Sequence, residues 1–156
     1  TIVQITANHN FLSKTVSIVS EGSVSITRID PLQFCAFTSQ SNQSVVYRQN
    51  DDFSIEITDT RSQGEAWYLY SYILNPLTSG ADKLENAIVF KQNDEQSTMT
   101  SSPILVYEGR RSAENPKTTI SWERLSGFLL NIDPTLSYNA GTYTTELLWE
   151  ISTTKL

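Results

Sequence analysis

Chemistry-bearing side chains are scarce in this sequence. It holds one cysteine, Cys35, and one histidine, His9. A single cysteine forms no intrachain disulfide, and together with the lone histidine it falls short of the four ligands of a structural zinc site. A Ser-His-Asp or Cys-His device would have to be built on His9. That residue sits in the polar stretch Ala7-Asn8-His9-Asn10, and no Gly-x-Ser-x-Gly elbow occurs anywhere in the chain. His9 therefore reads as a loop residue without a catalytic role. Cys35 lies in the apolar run Leu32-Gln33-Phe34-Cys35-Ala36-Phe37 and reads as a small buried hydrophobe rather than a reactive thiol. Few cysteines suit the cytosol and equally suit secreted bacterial proteins that do without disulfides, so the count leaves the compartment open.

Other shortages narrow the field further. The six glycines are scattered singly, so no glycine-rich phosphate loop exists. Charged residues make up only 18% of the chain and acidic ones outnumber basic ones, for a net charge of −6. Arg110-Arg111 is the one basic doublet, and an acidic chain repels phosphate backbones, so nucleic acid is not an expected partner. No apolar run approaches the length of a membrane-spanning helix. Asp51, Asp52, Asp59, Asp82 and Asp94 fall in expected loops, but no Asp-x-Asp-x-Asp-Gly loop collects them. Glu146 and Glu150 read as a solvated strand face rather than a catalytic carboxylate pair. No catalytic residue, metal site or cofactor is assigned, and the chain reads as a non-enzyme. It opens on Thr1 rather than methionine, which fits a cleaved leader peptide or an excised piece.

What remains is a β-protein composition, rich in Ser and Thr, with 10% aromatics. A length of 156 residues suits one domain that buries about two-thirds of its unfolded surface. Apolar residues recur with a period of two. In residues 142–151, Tyr143, Thr145, Leu147, Trp149 and Ile151 share one face of an expected long strand that follows an Asn139-Ala140-Gly141 turn. Residues 15–19, 24–26, 53–58, 102–107, 118–122 and 128–132 read as further strands. Residues 80–86 are the one stretch suited to a helical turn, and residues 92–102 and 109–116 read as polar loops. About a dozen strand candidates separated by turn signals predict an all-β fold. Its form is an antiparallel β-sandwich or a partly closed β-barrel, in a single domain spanning 1–156, with residues 1–21 as an added edge strand.

Residues 67–74 differ from the other strands. Trp67, Leu69, Ser71 and Ile73 point one way; Tyr68, Tyr70, Tyr72 and Leu74 point the other. Two readings are open. The strand is central and covered on both sides, or its tyrosines form a ligand platform, a flat apolar body with a hydroxyl at low entropic cost.

Two segments carry further information. One reads Thr58-Asp59-Thr60-Arg61, then Gly64, then Trp67-Tyr68-Leu69; the other is Trp149-Glu150-Ile151 near the end of the chain. Each pairs a tryptophan with an aliphatic residue two positions on, so both members share a strand face. Together with Gly22-Ser23-Val24-Ser25-Ile26, Pro31-Leu32-Gln33-Phe34 and the segment Leu84-Glu85-Asn86-Ala87-Ile88-Val89-Phe90, this resembles the WxL domain family of Gram-positive surface proteins, over residues 22–151. Ile151 stands where the family has leucine. The resemblance implies a secreted domain, at the cell wall or cell surface, that attaches non-covalently to peptidoglycan. It also implies partner surface proteins, including a membrane-anchored WxL-interacting protein. The candidate ligand-binding residues are Trp67, Tyr68, Leu69, Tyr70, Tyr72, Trp149 and Ile151, with the three tyrosines the better placed for contact if the tryptophans are core. The other reading is a structural pilin- or adhesin-like β-sandwich subunit that assembles through strand edges.

Overall fold

The computed structural model describes residues 22–39 and 42–156. The expected strand at 15–19, the edge strand assigned to 1–21 and the loop histidine His9 lie outside the described residues. Among those described there are twelve strands and no helix: β1 (Val24–Ile29), β2 (Val45–Val46), β3 (Ser54–Asp59), β4 (Ala66–Ile73), β5 (Leu77–Ser79), β6 (Asp82–Leu84), β7 (Ile88–Gln92), β8 (Glu95–Thr98), β9 (Ile104–Arg110), β10 (Lys117–Ser121), β11 (Gly127–Asn131) and β12 (Leu147–Ser152). Among the described residues no helix is long and apolar enough to cross a membrane.

The strands form antiparallel sheets of order β1-β3-β10, β2-β11-β7-β8 and β12-β4-β9, with β5-β6 as a separate hairpin. None closes into a barrel, and the all-β, sandwich-like architecture follows the period-two pattern. In β3, Ile55 and Ile57 are fully buried while Glu56 and Thr58 are only half-buried. Ile120 of β10, Val106 of β9 and Phe128 of β11 meet them in one hydrophobic core. Near its centre Phe53, Phe90, Trp122, Phe128 and Trp149 form an aromatic group, with Phe90–Phe128 centroids 5.0 Å apart and Phe128–Trp149 edge-to-face at 5.4 Å. Such tilted contacts add to area burial because the positive ring edge meets a negative face.

Three expectations fail locally. Residues 80–86 form no helical turn. Ser79 pairs with Asp82 across the two-residue Gly80-Ala81 turn, and Gly80 takes φ of +60°, the left-handed conformation that tight hairpin turns demand. The polar stretch 92–102 holds β8, joined to β7 by Asn93-Asp94 with Asn93 at φ +55°. All four residues of β8 are exposed, so it had no apolar alternation to show. The strand expected over 142–151 divides. Thr144 exchanges both backbone bonds with Thr78, whereas Leu147–Ser152 pairs with β4. The chain changes partners between them, and Thr145 Oγ1 donates to the Asn75 carbonyl (2.7 Å) at the crossover.

One core residue is a cation. Arg48 is 2% exposed, and no carboxylate lies within ion-pairing distance of it among the described residues. Its Nη1 donates to the carbonyls of Ser126 (2.6 Å) and Phe128 (2.9 Å), and its Nη2 to those of Trp122 and Glu123 (2.9 Å each). Burial lowers its pKa, opposed by the nearby charge of Asp51, yet an arginine stays protonated. The guanidinium fork thus replaces lost hydration with four carbonyl dipoles and fixes the connection between β10 and β11.

Candidate binding face

The first Trp-x-aliphatic pair occupies β4, the middle strand of its sheet. Trp67 and Leu69 point inward and are fully buried, 0% exposed. The second pair lies on β12, the neighbouring antiparallel strand. The register sets Trp149 opposite Ser71 and Ile151 opposite Leu69. Both pairs therefore enter the same core side by side. Trp149 and Ile151 are half-buried and packed against that core. Trp67 stacks on Tyr107 of β9 with centroids 5.5 Å apart. Gly109, its cross-strand partner, leaves the space its six-membered ring fills. The Trp67 indole N–H has no acceptor among the described residues. Ser71, fully buried between the two pairs, donates its hydroxyl to the Leu148 carbonyl (3.0 Å).

As contact residues, Trp67 and Leu69 must be withdrawn: a side chain without exposed surface touches no partner. Trp149 and Ile151 face inward with them. The two tryptophan pairs are core, because a period of two puts tryptophan and the aliphatic residue on one face and here that face is the inner one.

The Thr58-Asp59-Thr60-Arg61 approach to Trp67 is likewise architectural. Arg61 Nε and Nη2 donate to the two Asp59 carboxylate oxygens (2.9 and 2.8 Å), and Nη2 also reaches the Ala66 carbonyl (3.1 Å) at the start of β4. This ties the turn to the strand. Burial pushes the Asp59 carboxyl up, but the bonds and charge of Arg61 outweigh it and hold the pKa below its ordinary value. The hydrogen bonds that Arg61 donates to Asp59 raise its own pKa. A carboxyl whose folded pKa is depressed adds stability above its unfolded pKa, near 3.9, and loses it as pH falls through the folded value. Urea midpoints are therefore expected to fall below about pH 4, and Asp59→Asn should be less stable than wild type at pH 7 but show a shallower acid decline. Equal acid slopes for the two proteins would contradict this.

The outer face of β4 is the tyrosine face. Tyr68 and Tyr72 are half-buried, but Tyr70 is only 4% exposed. The final residues cover it. The Leu156 amide donates to the Tyr70 hydroxyl (2.8 Å), while Lys155 Nζ lies 5.9 Å from the Tyr68 ring centroid and 3.5 Å from Glu108. Tyr70 is thus a support for the C-terminal residues rather than an open contact. What stays accessible is Tyr68, Tyr72 and Leu148, extended by Leu74 at 63% exposure. Glu108, Glu146 and Glu150 are exposed around them, giving an apolar strip with an acidic margin. Sequence reasoning placed the tyrosines correctly on one face but gave Leu74 no role; its position two residues beyond Tyr72 was the available signal.

Two clefts open at the end of the fold where β4 stops and β12 begins. One, of about 660 Å³, is lined by residues including Lys83, Glu85, Asn131 and Asp133. The other, of about 890 Å³, lies between residues 32–39 and 138–145. They share Leu84 and Tyr138. Cys35 lines the larger cleft and is half-buried, so it is less enclosed than its apolar neighbours implied. The carboxyls with displaced pKa are all lowered. Besides Asp59 these are Asp30 (bonded by the Ser54 hydroxyl), Glu56 (by Lys117) and Asp133 (by Thr135). Each is held in its ionised form by a structural partner. Among the described residues no three His, Cys, Asp or Glu side chains are grouped to hold a metal ion. Comparisons with protein-family models, with curated proteins and with solved structures return no match for this chain.

Proposed function

We propose that this chain is a non-enzymatic cell-surface module of the WxL kind, secreted and held non-covalently at a Gram-positive cell wall. Its ligands in this reading are peptidoglycan and partner surface proteins, among them a membrane-anchored WxL-interacting protein. The observation that supports it best is the juxtaposition of the two motifs. Residues 67–69 and 149–151, eighty-odd positions apart, lie on neighbouring strands with Ile151 opposite Leu69, as expected if the ordered motif set marks one structural unit. The strip of Tyr68, Tyr72, Leu74 and Leu148 then supplies the contact surface. Aromatic rings with one polar tip suit a partner that is part apolar and part hydroxylated.

The test is co-sedimentation of the folded full-length chain with purified Gram-positive wall sacculi. The chain is expected to pellet with the walls in a saturable manner. A folded chain that stays wholly in the supernatant at all wall concentrations would overturn wall attachment.

A further inference from the structure

We infer that the larger cleft is a strand-acceptor site, taking an extended, uncharged peptide segment of a partner polypeptide. It is a different place from the tyrosine strip and independent of wall attachment.

The shape is the first argument. Two continuous segments, residues 32–39 and 138–145, line the cleft along their length. Its floor is apolar: Leu77, Leu84, Ile88 and Leu130, all core residues. One end is closed, where the Tyr138 amide donates to Ser39 Oγ (2.7 Å) and the Phe37 and Tyr138 rings meet edge-to-face at 5.7 Å.

The backbone is the second argument. Each wall is already half of a β-ladder. Phe34 is bridged to Arg48, with the Cys35 amide donating to Tyr47 and the Gln33 carbonyl accepting from Gln49. In an antiparallel ladder the groups of the intervening residue point to the other edge, so those of Phe34 are turned away from that partner. On the other wall Thr144 spends both its groups on Thr78, which turns those of Tyr143 and Thr145 the opposite way. Among the described residues no backbone group pairs with the amides of Ala36, Phe37 and Thr38, nor with those of residues 140–143. Among the described residues, two segments that each begin a bridge and then lack backbone partners flank one apolar trough, and an added strand would supply the bonds they lack.

Charge selects the occupant. Not one residue lining this cleft is charged, in a chain where 18% of residues are. A charged peptide or an anionic polymer would lose hydration there without finding a counter-charge. An uncharged strand with small or branched apolar residues at alternate positions would set one row on the leucine floor and leave the other to solvent.

Cys35, the single cysteine, lines the cleft and reports on it. The probe is a blocked hexapeptide of alternating threonine and valine, about 20 Å long when extended. A second peptide, with proline at its two central positions, cannot donate to a ladder. The rate of Cys35 alkylation by iodoacetamide is measured in the folded full-length chain. The first peptide should slow it about tenfold when present at about ten times its Kd, and the proline peptide should not. Ala36 is exposed on the cleft wall, so Ala36→Arg should abolish the protection while leaving wall co-sedimentation unchanged. The inference is overturned if the hexapeptide gives no protection, if both peptides protect equally, if Ala36→Arg is protected as well as wild type, or if Cys35 reacts only in denaturant, which would mean a closed cleft.

Discussion

Gly109→Ala is expected to cost ~3 kcal/mol or more of folding stability, the upper end of what overpacking does. A Cβ built on Gly109 would stand 2.1 Å from Cζ2 of the Trp67 ring and 2.4 Å from Cε2. The ring has no room to withdraw. It is fully buried and lies against the Tyr107 ring on the neighbouring strand. Nor does the backbone yield cheaply, since Gly109 pairs with Trp67 within the β4–β9 ladder. Whole-domain stabilities run to about 5–15 kcal/mol, so one methyl group here removes a large share. Equilibrium urea unfolding measures it. The same substitution in a Trp67→Phe background should cost clearly less, because a smaller ring relieves the clash, and neighbours in contact are non-additive. A loss under about 1 kcal/mol for Gly109→Ala alone would contradict the packing described.

Arg48→Met is expected to cost about 3–5 kcal/mol, the range for breaking a buried polar arrangement by removing one side. Methionine fills much of the same volume, so the loss reports the polar contacts and not a cavity. It takes the guanidinium donors from the carbonyls of Trp122, Ser126 and Phe128, while that of Glu123 keeps the Ser126 amide and hydroxyl; each buried acceptor left unsatisfied costs roughly 1–3 kcal/mol unless water enters. Arg48→Lys should fall in between, because one ammonium point charge does not span four acceptors that a planar fork reaches. Hydrogen exchange should rise first in residues 122–128, while β4 keeps its protection. Uniformly faster exchange across all the sheets, or a stability equal to wild type, would contradict a local clamp.

These two positions also show where the sequence is readable. Alternation suffices for β3, β4, β10 and β12, because each has a core face with a branched or aromatic residue at every second place; β11, buried on both faces, is legible as a short apolar run between turn signals. The two tryptophan motifs were legible for the same reason, since strand periodicity puts each tryptophan and the aliphatic residue two positions on upon one face. Whether that face was inward was not legible. It depends on which strands flank β4, and pairing between residues so far apart is a tertiary property. Tyr70 illustrates the limit: it shares a face with Tyr68 and Tyr72, yet the C-terminal residues cover it and not Tyr72. Short elements escaped for another reason. β5, β6 and β8 span three or four residues, too few to establish a period, and their turns are set by Gly80 and Asn93. Arg48 left a faint signal. It stands two residues after Val46 and so shares its inward face, where a long charged side chain needs partners. Those partners are main-chain carbonyls more than seventy residues away, invisible to any reading of side-chain types. Of the cleft walls, residues 32–37 read as an apolar run and residues 139–145 as a turn leading into a strand. Only the gap between them makes them a site.

The two faces of β4 divide the roles: inward Trp67 and Leu69 hold the fold, and outward Tyr68 and Tyr72 form the proposed contact surface. Wall co-sedimentation of two variants, each verified as folded by circular dichroism, tests the separation most directly. Trp149→Phe alters the core while leaving the outer face of β4 untouched. Tyr68→Ser with Tyr72→Ser alters the outer face while leaving the core untouched. The account predicts wall retention equal to wild type for the first and loss of retention for the second. Loss of retention in folded Trp149→Phe, with full retention in the double tyrosine variant, would contradict it.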